Sequence, residues 1–501
     1  MTAETYSSSS SVSTLQAQGA SSLSSRRGVA ILILLCLVQF MDILDASILN
    51  IALPSIKHDL GFTQESLQWV VNGYILTYGG FLLLGGRVAD LLGRRRVLVT
   101  GLIVFAGASL VGGLAHSESL LIGARFAQGL GAAMLSPAAL SSLTTIFRSG
   151  RERATALGAW AAVSGLGGAA GVLFGGLLTE GPGWRWVLFV NVPFAAVALV
   201  GAFVLLKGER VSARLANFDV LGAFLVTGGM LLLVYSLVKA PDVGWGAPRT
   251  MGGLALAGAA LAAFVVNELR VSNPLVPMSI LRVKGVAVAD ATQLVTAAGF
   301  IPMFFFLTLY MQTVLHYSPI QTGLAYLPLT GGFIVASSIS SQLFARVGTK
   351  PVIVVGAVIA SGGLYWLSRI PVDGSYVSDI LPGLVVASIG LGGVFVGATT
   401  AANAGISEDK AGLAAGLLNT GTQLGAALGL AIFSALATER TTSLLNTGHA
   451  TLADAATEGY QLALLVGAVF ILAAGGIALL TRNKRETHAV EDEEPALDLA
   501  A

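Results

Sequence analysis

Cysteine, histidine and charge are scarce in this chain. Cys36 is the single cysteine among 501 residues, so no intrachain disulfide can form and no thiolate cluster is available for a metal. Its expected role is small apolar packing. The five histidines, His58, His116, His316, His449 and His488, are scattered with no ligand spacing, so neither a metal site nor a cofactor is expected. Charged residues make up only 11%, and 28 Lys and Arg balance 27 Asp and Glu. A net charge of +1 offers no electrostatic footprint for nucleic acid. No Gly-x-x-x-x-Gly-Lys-[Ser/Thr] segment occurs, which argues against an ATP-driven pump. No nucleophile–base set clusters, which argues against an enzyme, and no sizeable soluble domain is present for a sensor.

Apolar residues are abundant at 54%, and there are 62 glycines, well above the usual ~7%. Apolar runs of about twenty residues, each long enough for a ~30 Å hydrocarbon core, recur along the chain. They predict an all-α polytopic membrane protein with about fourteen crossings, embedded in a lipid bilayer. The helices are placed near 29–53, 67–89, 97–115, 119–146, 154–178, 187–206, 218–238, 251–267, 286–312, 320–345, 351–370, 379–402, 412–437 and 459–481. Arg and Lys concentrate in alternate connections, among them Arg26, Arg27, Arg94, Arg95, Arg96, Arg148, Arg151, Arg153, Arg346, Lys350, Lys410, Arg482 and Lys484. By the positive-inside bias, both termini face the cytoplasm. Residues 1–27 are rich in Ser and Thr with no apolar period, so a disordered tail that is not a cleaved leader is expected. A short acidic tail follows at 483–501.

The chain also repeats itself at an offset of about 255 residues. Gly93 to Gly101 aligns with Gly348 to Gly356, Gly129-Leu130-Gly131 with Gly390-Leu391-Gly392, and Leu166-Gly167 with Leu424-Gly425, with Gly158 on Gly416 and Gly171 on Gly429. Two related six-helix halves follow, at 28–208 and 285–482, with an inserted helix pair at 209–284.

The first helix carries Gln39, Asp42, Asp45 and Asn50 on an otherwise apolar stretch. An ionised Asp at mid-bilayer costs roughly 2.5–3.5 kcal/mol on insertion scales, so a helix with two must turn them toward other helices or a watery cavity. The connection after helix two, Gly85-Gly86-Arg87-Val88-Ala89-Asp90-Leu91-Leu92-Gly93-Arg94-Arg95-Arg96, pairs close-approach and turn glycines with one Asp and four Arg. Gly86, Asp90, Gly93, Arg94 and Arg95 suit a charged latch that holds two helices in one conformation and releases them in another. The plainer reading is a positive-inside loop. Arg125 lies within helix four beside Phe126-Ala127-Gln128-Gly129, and an Arg at membrane depth marks function unless it snorkels to the interface. Helix five is threaded with Gly158, Gly165, Gly167, Gly168, Gly171, Gly175 and Gly176. Asp290, Gln293 and Gln312 in helix nine, Asn403 at the end of helix twelve, and Asn419 and Gln423 in helix thirteen are further polar groups at or near membrane depth. With Gln39, Asn50 and Phe304, the residues Asp290, Gln293, Asn419 and Gln423 are candidates for a substrate cavity.

These motifs resemble a known family. The loop after helix two resembles the signature of the major facilitator superfamily. Leu44 to Pro54, and Trp184-Arg185-Trp186-Val187-Leu188-Phe189-Val190-Asn191-Val192-Pro193, resemble signatures of its fourteen-helix drug:proton antiporter branch. The resemblance spans Arg26 to Arg485 and implies two six-helix bundles rocking about a central cavity, with an extra pair outside. It also implies a role for Arg125 in proton transfer and places Asp45 as the first-choice proton carrier, with Asp42 as alternative or second carrier. Gly158, Gly167, Gly171, Gly175 and Gly176 follow the antiporter signature, but Val172 stands where it has Pro, so a Pro kink is absent. The function implied is proton-coupled export of hydrophobic or cationic small molecules, drugs or antibiotics among them, by a monomer in the cell membrane. The alternatives are a proton symporter or importer on the same scaffold, or an exporter dedicated to one secondary metabolite.

Overall fold

In the computed structural model, the described residues are 23, 25–147, 150–206, 208, 219–272, 274–276, 280, 285–403, 411–446, 450–481 and 483. The two expected tails and the Asp90 and Asn403 side chains lie outside the described residues or are described only in small part. The regular elements among the described residues are helices: α1 Arg26–Leu60, α2 Gln64–Leu92, α3 Arg94–Gly113, α4 Glu118–Ile146, α5 Gly150–Glu180, α6 Trp186–Leu205, α7 Val220–Val243, α8 Pro248–Arg270, α9 Val286–Leu309, α10 Leu327–Val347, α11 Thr349–Leu367, α12 Leu381–Asn403, α13 Ala411–Asn446 and α14 Leu452–Ala478. A π turn, Tyr310–Val314, extends α9, and a short helix, Pro319–Ala325, precedes α10. Among the described residues, thirteen spans are long and apolar enough to cross a membrane. The remaining helix is α2, whose polar Gln68 and Asn72 face inward, fully buried. About fourteen crossings therefore stand.

Several helices run longer than the apolar pattern predicts, for local reasons. Ser25 caps α1, its side chain accepting from Gly28 N. Pro54 does not end α1: Ile51, Ala52, Leu53 and Ile56 are fully buried around it, and this packing outweighs one missing N–H. The helix stops at Gly61, where φ is +75° and the backbone N–H turns back to Lys57 O. At α14, a Thr451–Asp454 capping box starts the helix at Leu452, a turn and more before the expected position.

Small residues set how closely the helices approach. A methyl group on Gly171 of α5 would lie 2.5 Å from Ser47 Cβ and 3.0 Å from Leu44 O on α1; on Gly175 it would lie 2.7 Å from Ile48 O. Gly429 of α13 bears on Ala298 O of α9 in the same manner, at 2.0 Å. The pairings recur between the two ends of the chain. α1 packs on α5 and α6 as α9 packs on α13 and α14, while α2 and α3 pack on α4 as α10 and α11 pack on α12. One side-chain bond recurs as well: Gln39 Nε2 donates to Ser164 Oγ at 2.9 Å between α1 and α5, and Gln293 Nε2 to Thr422 Oγ1 at 3.2 Å between α9 and α13.

Between these sets, α2 packs on α13, and α5 on the segment around Pro319–Ala325. The face carrying the α1–α2 and α9–α10 connections is closed. There Gln312 Nε2 donates to Ile51 O at 2.9 Å and Ile320 N to Glu180 Oε2 at 3.1 Å, and Gly323 leaves room for the Val172 carbonyl. α7 lies against α2 and α13, where Thr227 Oγ1 donates to Gly80 O, and α8 packs on α7.

Candidate functional site

The polar residues of α1 converge on two connected networks. Asp45 is fully buried and accepts three bonds: Oδ2 from Arg125 Nη1 at 2.8 Å, and Oδ1 from Gln128 Nε2 and Asn191 Nδ2, each at 2.7 Å. Arg125 Nε donates to Val70 O at 3.0 Å, and Nη1 also reaches Gln128 Oε1. Gln128 Nε2 bonds Ser109 Oγ at 2.7 Å as well. With 2% exposure, Arg125 does not snorkel; α4 begins at Glu118, so the guanidinium enters the bundle two turns down. One carboxylate thus neutralises one guanidinium, and five helices, α1, α2, α3, α4 and α6, are tied at a single point.

Asp42, one turn earlier on α1, is in different surroundings. Its Oδ1 accepts from Tyr74 Oη at 2.7 Å and its Oδ2 from Tyr78 Oη at 2.8 Å, both on α2, and no cation pairs with it. Tyr78 is also within side-chain hydrogen-bonding reach of Ser136 of α4 and Asn419 of α13. Tyr74 joins the networks: its hydroxyl serves Asp42 while its ring lies under the Arg125 guanidinium, 4.3 Å from centroid to Cζ.

A central cavity adjoins both networks. Its volume is about 100 Å³, below the ~300–1,000 Å³ range of small-molecule sites, so a substrate needs it to widen. Its walls include Asn50, Tyr74 and Arg125 on one side and Ile301, Phe305 and Gln423 on the other. Apolar wall with a few convergent polar groups suits an organic molecule. Among the described residues, no group of three His, Cys, Asp or Glu is placed to hold a metal ion.

The family model for the Major Facilitator Superfamily matches residues 35–430. The chain belongs to the Major Facilitator Superfamily. It is 38% identical to the puromycin resistance protein of Streptomyces alboniger over 470 residues, covering 92% of each chain. It is 42% identical over 404 residues to the cephamycin export protein of Amycolatopsis lactamdurans, covering 80% of this chain and 83% of that one. The tetracenomycin C resistance and export protein of Streptomyces glaucescens is 36% identical over 401 residues, 80% of this chain and 74% of that one. Among solved structures, an inward-facing, unoccupied bacterial homologue of the lysosomal transporter Spinster matches at a TM-score of 0.64 with 16% identity, covering 91% and 97% of the two chains. That likeness concerns the fold alone. This superfamily member is thus a multi-pass membrane transporter of small molecules and not an enzyme.

Within the superfamily scaffold, the candidate residues fall in several places. Asn50 and Gln423 border the cavity, and Asn50 Nδ2 also donates to Ala46 O. Gln39 is bonded to Ser164 instead, Asn419 faces Tyr78, and Phe304 packs edge-on to Phe300 and against Tyr326. Asp290 and Gln293 lie nearer the other end of α9, away from this cavity. Of the helix-five glycines, Gly167, Gly171 and Gly175 meet α1, Gly176 meets Pro319 and Ile320, and Gly158 has nothing within 4 Å.

In the α2–α3 connection, the close approach falls on Gly85, where a methyl would lie 2.0 Å from Ala133 O, while Gly86 has only Pro137 Cβ at 3.4 Å. Gly93, at φ +95°, makes the turn, with its N–H bonded to Ala89 O. Arg94 opens α3, and Arg95 reaches Phe203 on α6, donating to its carbonyl at 3.0 Å with the guanidinium over its ring.

Four partners of the acidic pair carry no assigned role in the sequence reading: Ser109, Gln128, Tyr74 and Tyr78. A fifth, Asn191, appears there only within a motif. Gln128 follows Arg125 by three positions and Tyr78 follows Tyr74 by four, so each pair shares a helix face. That signal was available for finding them.

Proposed function

We propose that this transporter exports hydrophobic or cationic small molecules of the antibiotic class in exchange for protons, by alternating access in the cell membrane, with both termini cytoplasmic. Its curated relatives named for antibiotic resistance and export favour outward movement of such compounds. The observation that carries proton coupling is the shared wall: Tyr74 and Arg125 border the cavity and also contact the two buried carboxylates.

The geometry divides labour between the acids. Asp45 is held by a cation and two amide donors, so protonating it would break an ion pair and leave Arg125 buried without its counter-charge. Asp42 has only two hydroxyl partners. We therefore assign the travelling proton to Asp42 and the positioning of Arg125 to Asp45. A proton on Asp42 turns one acceptor oxygen into a donor, so Tyr74 or Tyr78 must release it or accept instead. Tyr74 carries that change to the cavity wall and to Arg125; Tyr78 carries it to α13. The six-helix sets 28–208 and 285–482 then rock about the substrate. One proton moving down 100 mV supplies about 2.3 kcal/mol, enough for roughly a fifty-fold substrate gradient.

The test is transport of ethidium by the purified chain in proteoliposomes under an imposed pH gradient. Asp42→Asn is expected to abolish gradient-driven transport while leaving ethidium binding within a few-fold of wild type. Undiminished gradient-driven transport by that variant would overturn the assignment, and ethidium moving in the same direction as protons would make the protein a symporter.

A further inference from the structure

A second acid lies apart from both networks. Asp290 sits one turn into α9, half-buried, with both carboxylate oxygens shielded and neither one hydrogen-bonded. Three positions on, Gln293 is 3% exposed; its Nε2 is used by Thr422 while its Oε1 has no partner. The two residues share a face of α9 toward α13. The helices diverge there. A methyl on Gly429 or Gly425 of α13 would lie 2.0 or 2.1 Å from an α9 carbonyl, whereas on Gly421 it would lie 3.7 Å from Asp290 O. The contact thus loosens toward Asp290, where a methyl on α13 would sit in ordinary van der Waals contact. Ala289, Leu418, Ala401 and Ala402 form an apolar cluster beside Asp290.

Asp290 has no acidic equivalent in the first half of the chain. The contacts Gly171–Leu44 O and Gly429–Ala298 O align α1 with α9, and that register brings Gln39 onto Gln293 with matching bonds to α5 and α13. The same register sets Asp290 where α1 carries Cys36. Packing of the repeat is therefore met by a small apolar side chain, and the carboxylate is an addition specific to α9.

We propose that Asp290 and Gln293 form a docking site for the ammonium group of an organic cation entering between α9 and α13. The unused atoms are three acceptors, two carboxylate oxygens and one amide oxygen, and no donor. Such a set is complementary to a cation bearing N–H groups. The adjoining alanines and Leu418 suit the apolar body of the same molecule. The inference deepens the export reading by naming a substrate class, and rests on that reading for the route by which the cation leaves.

The experiment measures equilibrium binding to the full chain in nanodiscs for two probes, puromycin, whose amine is cationic, and N-acetylpuromycin, in which that amine is blocked. In the wild type, puromycin is expected to bind tighter than its acetylated form. Asp290→Asn is expected to weaken puromycin at least about tenfold, or about 1.4 kcal/mol, and to leave N-acetylpuromycin within about twofold. Asp290→Glu is expected to restore most of the difference. Equal binding of the two probes by the wild type, absence of binding, or equal loss of both in Asp290→Asn would overturn the proposal. Charge-selective binding without gradient-driven efflux in proteoliposomes would uphold this site and sink the export reading instead.

Discussion

Removing both members of the Asp45–Arg125 pair should cost clearly less than the two single losses added together. The pair is 2.8 Å long, with side chains 2% and 0% exposed. Deleting one partner of such a pair leaves an uncompensated buried charge and costs about 3–5 kcal/mol. Asp45→Asn should fall near the lower end, because Arg125 keeps Val70 O, Gln128 Oε1 and the Tyr74 ring. In Arg125→Gln, the carboxylate keeps the amide donors of Gln128 and Asn191 but loses its only cation. The double variant buries no charge and should recover about 2 kcal/mol or more relative to the sum of the single losses. The chain supplies its own reporter: Cys36 is its single thiol and is buried, so a thiol-reactive dye signals unfolding on a temperature ramp in detergent. Single variants that melt with the wild type, or losses that simply add, would refute the view that this ion pair locks α1 to α4.

Two further substitutions probe the helix contacts. Gly175→Ala sets a methyl 2.7 Å from Ile48 O, against about 3.5 Å for relaxed contact, so α1 and α5 must part or strain. A loss of about 1–3 kcal/mol is expected in the Cys36 melt, while Gly158→Ala, with open space at that position, should be neutral or gain up to about 1 kcal/mol; equal effects would disprove the packing argument. Gln312→Leu removes the bond to Ile51 O that helps close one face of the transporter. In a Cys36→Ser, Asn50→Cys background, labelling by a membrane-impermeant maleimide from that face should rise about fivefold, the worth of roughly 1 kcal/mol, and an unchanged rate would show that the bond is not part of the closure.

The helical membrane fold was legible because lipid forces it. A chain in hydrocarbon must satisfy its own backbone, so apolar length marks the crossings other than α2, where Gln68 and Asn72 turn inward. Helix ends were less legible: the burial of Ile51 to Ile56 carries α1 past Pro54, and that packing exists only once α5 is beside it. At the candidate site, sequence spacing could say that Asp42 and Asp45 share one side of a helix and must turn inward. It could not separate them, because their difference comes from the neighbours. α2 offers hydroxyls to one acid, whereas α4 and α6 offer a cation and amides to the other. Those neighbours lie from 32 to 146 positions away in the chain, as Tyr74 does from Asp42 and Asn191 from Asp45. A single sequence carries helix faces but not which faces meet. On the proposed mechanism, two acids one turn apart serve opposite ends: the one with a counter-charge fixes the bundle, and the one without exchanges a proton. Tyr74, the residue touching both systems and the cavity, is where the two meet.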